Sequence, residues 1–415
     1  MGYLRLLRKR SILVLWSARC LSALGDRLYG VAVMWSVWAS TGSVSVTGLV
    51  AVVESVPYLV LGAMGRRLVA RVSSFRALSY VDAARAAVAG ALPFAWKPDH
   101  AGMAVLLLAA LLLGLLGALF DPNLDALLPG LVEPAQVQQI TGLFDLTTRV
   151  AHMTGHACAG LLLLFLSKVQ LFALDGVAFL VSSAALARLA TPSALRTGTA
   201  PHAVRAWPLL RSHPLVGLAI GLLGLVPLCT AATTVALPAL LAVRHHAGAG
   251  AYGMVTAAIG IGALIGNPLA SNRRPSRWFL VCCVAWALDG LATACMGFAD
   301  DLSSLALLSL TTGMAIPVGT VTLRARLGAF LPGERLRLMA VEHTVTRTGY
   351  VIALILLPLL ADASPRASFV VVGASVTALT ATGAALRSRL IRPVGYGTVP
   401  APGGSPEAAV TGKHV

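Results

Sequence analysis

Charged residues make up only 12% of this 415-residue chain, about half the share usual in a soluble globular domain. Hydrophobic residues account for 57%, more apolar surface than a water-soluble fold can hide. A soluble multidomain enzyme, a disulfide-stapled secreted module and a disordered tail protein are thereby excluded. The six cysteines (Cys20, Cys158, Cys229, Cys282, Cys283 and Cys295) show no C-x-x-C spacing and no adjoining histidine cluster. They read as small packing residues rather than as a zinc or redox site. No Gly-x-x-x-x-Gly-Lys-Ser/Thr run occurs, so ATP could drive the protein only through another subunit. Neither a cofactor nor a bound metal is expected.

What the chain does have is long apolar runs. A crossing helix needs roughly 20 apolar residues, and runs bounded by charged, Gly or Pro clusters fall at 12–39, 46–66, 77–95, 102–120, 138–166, 169–190, 214–242, 249–270, 276–297, 302–323, 338–360 and 366–387. Twelve spans of an all-α integral membrane protein are the expectation. The first run follows a basic patch, as a signal peptide would, but it is about twice as long as a signal core. It also holds Asp26 and Arg27, and it reads as a retained span. Residues 191–213, with internal prolines and Arg196, Arg205 and Arg211, read as a linker joining a six-span half at 1–190 to a second at 214–387. Residues 388–415 read as a mobile tail rich in Gly, Pro, Ala and Ser.

The net charge of +16 would point to nucleic acid in a soluble protein. Here it divides by loop, with 23 Lys and Arg in one set of alternate loops and only Lys97, Lys168, Arg244 and Arg366 in the other. Basic loops stay on the cytoplasmic side. Both termini are therefore expected in the cytoplasm of a cell carrying the chain in its inner (plasma) membrane, with lipid rather than nucleic acid as the surroundings.

The halves echo one another. Gly48-Leu49-Val50 leading to Arg66-Arg67 has a counterpart in Gly253-Met254-Val255 leading to Arg273-Arg274, and Leu128-Pro129-Gly130 in Leu331-Pro332-Gly333. Repeated halves place a substrate site at their interface, open to each side in turn. Gly25-Asp26-Arg27-Leu28, Thr41-Gly42-Ser43, Thr47-Gly48-Leu49, Pro57, Gly62 and Asp82-Ala83-Ala84-Arg85 resemble the first three spans of major facilitator superfamily transporters. The similarity is to the bacterial twelve-span branch that exports drugs, macrolides and siderophores, and Phe172-Ala173-Leu174-Asp175-Gly176 is similar to its sixth span. The resemblance implies two pseudo-symmetric six-helix halves working by alternating access. It also implies a gating loop between spans two and three, here carrying Arg66, Arg67, Arg71 and Arg76. That loop lacks the acid with which the family locks the cytoplasmic gate, since Ala70 or Arg66 stands there. In span five the Gly-Pro of exporters is replaced by Gly155-His156.

Charges inside spans cost a few kcal/mol each and mark interior or cavity positions. In span one Arg19, Ser22, Asp26 and Tyr29 fall at steps of three and four, on one stripe. Asp26 is a candidate proton-coupling group, the alternative being an internal ion pair with Arg19, Arg27 or a neighbouring helix. Glu54, isolated among Val52, Val53, Val56 and Pro57, is the second, or else binds a cationic substrate. Asp145, Arg149, His152 and His156 form a stripe about 16 Å long at 1.5 Å per residue. Asp145 and Arg149 suit an i,i+4 pair, while the histidines read as path-lining, relaying or simply hydrogen-bonded. In span eleven Glu342 and Arg347, five apart, are expected to reach other helices. Asp82, Arg85 and Asp175 are placed near span ends, and Asp289 is open to either interpretation.

These readings converge on a secondary active transporter, not an enzyme, in which protons drive export of a hydrophobic or amphipathic small molecule. Tyr29, Trp35, Asp145, Arg149, His152, His156, Arg347 and Tyr350 are its candidate path residues, and a monomer is expected. The 28-to-4 excess of Arg over Lys fits a high-GC bacterial genome, in which antibiotic resistance or natural-product secretion is a natural setting. The alternatives are an importer or uniporter of the same fold, or a membrane-embedded lipid-modifying enzyme using His152, His156 or His343.

Overall fold

The computed structural model describes residues 2–41, 44–96, 100–162, 168–189, 205–244 and 249–390. Along them run twelve helical segments of crossing length: α1 Arg10–Thr41, α2 Val44–Met64, α3 Phe75–Ala95, α4 His100–Leu127, α5 Val137–Leu162, α6 Lys168–Leu189, α7 at 214–244, α8 Ala249–Ser271, α9 Trp278–Met296, α10 Leu302–Leu327, α11 Pro332–Ala363 and α12 Pro365–Leu390. No strand occurs among the described residues. In hydrocarbon every backbone N–H and C=O must be satisfied within its own segment, which leaves the helix as the available form for such apolar runs. Eight segments are long and apolar enough to cross a membrane by length and composition. Outside that set, among the described residues, lie α2, with a shorter apolar stretch at Val52–Gly62, and α1, α3 and α5, which carry Arg19 with Asp26, Asp82 with Arg85, and Asp145 with Arg149.

Local chemistry sets several ends. The Ser74 side chain accepts from the Ala77 N–H at the start of α3, and Asp301 does the same for Ser304 at the start of α10, each satisfying one otherwise unpaired donor. Pro332 and Pro365 open α11 and α12, where a missing N–H costs nothing. α7 is the irregular one. It breaks around Gly224 and Leu225, passes through a π-turn at Ala232–Ala236 and ends in Leu237–Arg244. α11 crosses that break closely, because a Cβ on Gly349 would overlap the Gly224 carbonyl.

Helix pairs repeat between halves. α1 and α3 pack on α6 and α2 on α4, while α9 packs on α12 and α8 on α10. Glycines make the close approaches that helix association in lipid requires. A Cβ on Gly114 of α4 would overlap the Glu54 carbonyl of α2, and one on Gly313 of α10 would overlap the Ile259 carbonyl of α8. Gly176 of α6 meets Gly90 of α3 just as Gly373 of α12 meets Gly290 of α9. Large apolar side chains left outside, such as Phe94, Val177, Leu307 and Leu359, form the lipid-facing surface.

The halves meet along α5 with α8 and α10, and along α11 with α2 and α4. Their named contacts gather at the end of the bundle where α1 begins. Tyr3 Oη donates to Asn267 Oδ1 at 2.7 Å, and Gln138 Nε2 donates to the Ala270 carbonyl at 2.5 Å. Arg335 Nη1 donates to the Ala126 carbonyl at 3.1 Å, and Arg274 to that of Pro134. That end is closed.

Three helices run a full turn or more past one end of their apolar stretches: α4 continues to Leu127 rather than 120, α10 to Leu327 rather than 323, and α11 starts at Pro332 rather than 338. The added turns carry Asp121, Asp125, Arg324 and Arg335. Hydropathy assigns such residues to loops, yet they stay helical because partners on other helices compensate them. A further helix, Ala206–Ser212, lies in the expected linker. Residues 190–204 and 391–415, with most of that linker and nearly all of the expected tail, fall outside the described residues.

Candidate functional site

Between the halves lies a cavity of about 370 Å³, and most of the membrane-embedded charge faces it or sits just behind its wall. Asp26, Tyr29, Glu54 and Tyr58 reach it from the first half, and Thr346, Arg347 and Tyr350 from the second. Its floor, toward the closed end, carries Arg19, Asp121, Asp125, Asp145, Arg324 and His343.

The α1 stripe divides its work. Arg19 Nη2 donates to Asp121 Oδ1 of α4 at 3.4 Å, and Tyr58 Oη donates to Asp121 Oδ2 at 2.7 Å. Arg19 is thus not the described partner of Asp26. Asp26 accepts from Arg85 Nη2 of α3 at 3.1 Å, while Arg85 Nη1 donates to Asp82 Oδ1 at 3.3 Å. Ser182 Oγ completes Asp82 at 2.6 Å. The placement of Asp82, Arg85 and Asp175 near span ends is therefore corrected. Asp82 and Asp175 have no exposed surface, Arg85 only 5%, and its guanidinium lies 4.1 Å from the Phe179 ring centroid. Their helices carry them inward beside Asp26, and counting residues from a span's end does not show which neighbour awaits.

Glu54 lines the cavity opposite Arg347, whose guanidinium stacks 4.4 Å from the Tyr58 ring centroid. Such a stack holds a cation in place without neutralising it. Asp145 and Arg149 make the i,i+4 pair, Nε to Oδ2 at 2.6 Å. Asp145 also accepts from Asn267 Nδ2 of α8 at 2.8 Å. Across the floor Arg324 Nη2 donates to Glu342 Oε1 at 3.0 Å, and its Nη1 lies 3.7 Å from Asp125 and 4.0 Å from Asp145. His343 Nε2 stands 2.9 Å from Asp125 Oδ2. Glu342 thus reaches a neighbouring helix, and so does Arg347.

The basic loop does not supply this floor. Arg67, Arg71 and Arg76 are exposed, and the segment meets α11 through Val69, packed with Leu336 and Ala340. The side chains of Arg27, Trp35, Arg66, His152 and His156 lie outside the described residues. Asp289 is fully buried in α9 near Cys229, away from the cavity lining. No group of three or more His, Cys, Asp or Glu that could hold a metal occurs among the described residues.

Asp121, Asp125, Tyr58 and Arg324 are functional candidates that the apolar runs hide. One signal was available: Asp121 and Asp125 are four apart directly after the Leu-rich run, so a helix continued by two turns puts both on one face.

Repeated helical halves with a charged, polar cavity between them are the architecture of a membrane transporter. Comparison of the sequence adds the family: residues 15–271 match the Major Facilitator Superfamily, and the chain belongs to it. Curated proteins give no match. Among solved structures the fold is similar to that of a bacterial homologue of the iron transporter ferroportin in an outward-facing state. That likeness has a TM-score of 0.72 at 15% identity, covering 91% of this chain and 100% of the other. It is similar as well to the human organic anion transporter MFSD10 (TETRAN), with a TM-score of 0.68 at 16% identity, covering 91% of this chain and 99% of the other. At such identities the likeness shows the fold.

Proposed function

We propose that the protein is a proton-coupled exporter of a hydrophobic or amphipathic small molecule, working by alternating access. The observation that carries this reading is the pair of carboxylates, Asp26 and Glu54, on the wall of a cavity closed at the end where α1 begins. Asp26 shares its guanidinium with Asp82, and protonation of Asp26 would release Arg85 to one partner. Glu54 faces the stacked Arg347, so binding of a proton or of a cationic substrate there changes the charge that Arg347 sees. In this reading the substrate path runs along Tyr29, Trp35, Tyr58, Asp145, Arg149, His152, His156, Arg347 and Tyr350. The loop arginines hold the termini in the cytoplasm of a plasma membrane, and one chain suffices. Mixed charge in the cavity, with Tyr29, Tyr58 and Tyr350 between, favours an amphipathic substrate over a bare ion. Self-resistance or secretion of a natural product is the matching role.

The test is efflux from proteoliposomes with an imposed pH gradient, using lipophilic dyes and antibiotics. Native protein, Asp26→Asn and Glu54→Gln are compared. Efflux should require the gradient and fall at least tenfold in one of the two variants. Uptake, or movement indifferent to the gradient, would turn the reading to an importer or uniporter. Native rates in both variants would return the two acids to structural roles.

A further inference from the structure

Behind the Asp26–Arg85 pair, on the side away from the cavity, lies Asp175 of α6. It has no exposed surface, and neither carboxyl oxygen has a hydrogen-bond partner among the described residues. It is held there by contact, since a Cβ on Gly25 of α1 would stand 2.5 Å from Asp175 Oδ1 and 3.0 Å from the Ala178 Cβ. The groups facing it come from the two helices packed on α6. From α1 they are Asp26 and Tyr29, and from α3 Asp82 and Arg85.

Two carboxyls thus hold one guanidinium, and a third, Asp175, stands within reach of its charge. Arg85 gives one N–H to Asp26 and one to Asp82, while its Nε has no partner. Around them stand Phe172, Phe179 and Ala89, all fully buried. An ionised carboxylate without partner or hydrogen bond in such surroundings costs several kcal/mol, whereas a protonated carboxyl is a neutral group that Phe and Ala tolerate. The arrangement also supplies a way out for the proton. Gly25 touches Asp175 and is the chain neighbour of Asp26, whose side chain is 30% exposed toward the cavity. If the proton passes to Asp26, the freed Arg85 turns its unpartnered N–H toward Asp175, which becomes the carboxylate. One proton moves, one O–H bond breaks as another forms, and the charge of the cluster is unchanged.

We propose that Asp175 is a proton-binding site buried behind the Asp26–Arg85 pair, exchanging its proton with the cavity through Asp26. Its part in coupling rests on the proton-coupled reading above, whereas occupancy by a proton does not.

The test is infrared spectroscopy of purified protein labelled with ¹³C in the aspartate carboxyls, at neutral pH. Native protein should show a protonated-carboxyl C=O band that shifts with the label and vanishes in Asp175→Asn. Gly25→Ala should move the frequency of the same band, and it assigns the band if the asparagine variant fails to fold. Absence of the band in labelled native protein, or its persistence in Asp175→Asn, overturns the proposal. In proteoliposomes Asp175→Asn should keep gradient-free substrate exchange and lose at least tenfold in gradient-driven accumulation. Undiminished accumulation would make the proton a fixed structural one and overturn the exchange. A native band together with transport indifferent to the gradient would refute the proton-coupled reading alone and leave the proton site standing.

Discussion

Asp125→Asn is the sharpest perturbation of the closed end. The native carboxylate faces His343 Nε2 at 2.9 Å and Arg324 Nη1 at 3.7 Å, both on helices of the other half. The asparagine keeps the shape and removes the charge. Arg324 retains Glu342 at 3.0 Å, so the variant loses one charge-assisted hydrogen bond and a weaker Coulomb contact rather than stranding a bare guanidinium. A hydrogen bond to a charged group contributes about 1.5–3 kcal/mol. Because this one spans the halves, its loss falls on the balance between closed and open rather than on the fold of either half. The closed-to-open ratio at this end should drop by about 10- to 150-fold, at 1.4 kcal/mol per tenfold. Spin labels at exposed Arg76 and Arg277 report the separation of the halves at that end. The variant should populate a longer distance that the native protein hides, and His343→Gln should do the same without adding its full effect in the double mutant. An unchanged distance distribution in Asp125→Asn, or strict additivity of the two substitutions, would refute the reasoning.

Gly142→Val should also open this end, because any Cβ there overlaps the Ser271 hydroxyl across the halves; the same label pair reads it, and a native distribution would contradict the closeness of α5 to α8. Gly114→Ala and Gly313→Ala press a methyl on the Glu54 and Ile259 carbonyls within a half. Each should destabilise by about 1–3 kcal/mol, to a similar degree if the halves are true repeats, as measured by thermal unfolding in detergent. Asp301, an exposed residue outside the spans, is held down to about 2 by the Ser303 hydroxyl and the Ser304 N–H and hydroxyl. A depressed carboxyl stabilises the fold only when ionised. Its contribution is complete above the ordinary aspartate value of about 4 and is lost as pH falls through about 2, so Asp301→Asn should flatten the acid limb of a melting curve.

The fold was legible because a bilayer imposes a blunt rule: twenty apolar residues make a span whatever their order. Gly48 with Gly253, and Leu128-Pro129-Gly130 with Leu331-Pro332-Gly333, revealed the repeat that the Gly114–Glu54 and Gly313–Ile259 crossings display. The i,i+4 pair of Asp145 with Arg149 was legible because it lies within one helix. The same bluntness hid the floor of the cavity. Asp121, Asp125 and Arg324 sit just past the apolar runs, and their helical state depends on partners more than a hundred residues away in the Asp125–His343 and Asp145–Arg324 contacts. Tyr58 gives no signal within its apolar run, because its role comes from Arg347 and Asp121 on other helices. Asp175 carried its signal in plain view, an acid in an apolar helix, but its meaning depends on Asp26, Asp82 and Arg85 from two other helices.

The arrangement of the pairs bears on how such a charged seam can part at all. Each half compensates most of its own charge. Asp26 and Asp82 keep Arg85, Asp121 keeps Arg19 and Asp145 keeps Arg149 within the first half, while Glu342 keeps Arg324 within the second. Besides the hydrogen bonds of Tyr3, Gln138, Arg274 and Arg335, the contacts to these acids that must break on opening are a second layer: His343 to Asp125, Arg324 to Asp125 and Asp145, and Asn267 to Asp145. Breaking a pair that leaves a lone buried charge costs about 3–5 kcal/mol, and several such losses together would lock the protein shut. Breaking a contact to Asp145, already paired with Arg149, costs less. At Asp125, whose described partners both lie across the seam, water entering the opened cavity restores part of the loss. The loop acid missing between α2 and α3 is then not required to hold this end. The seam holds itself through Asp125 and Asp145, acids placed where the cavity reaches them and where protonation or a bound cation can weaken the hold.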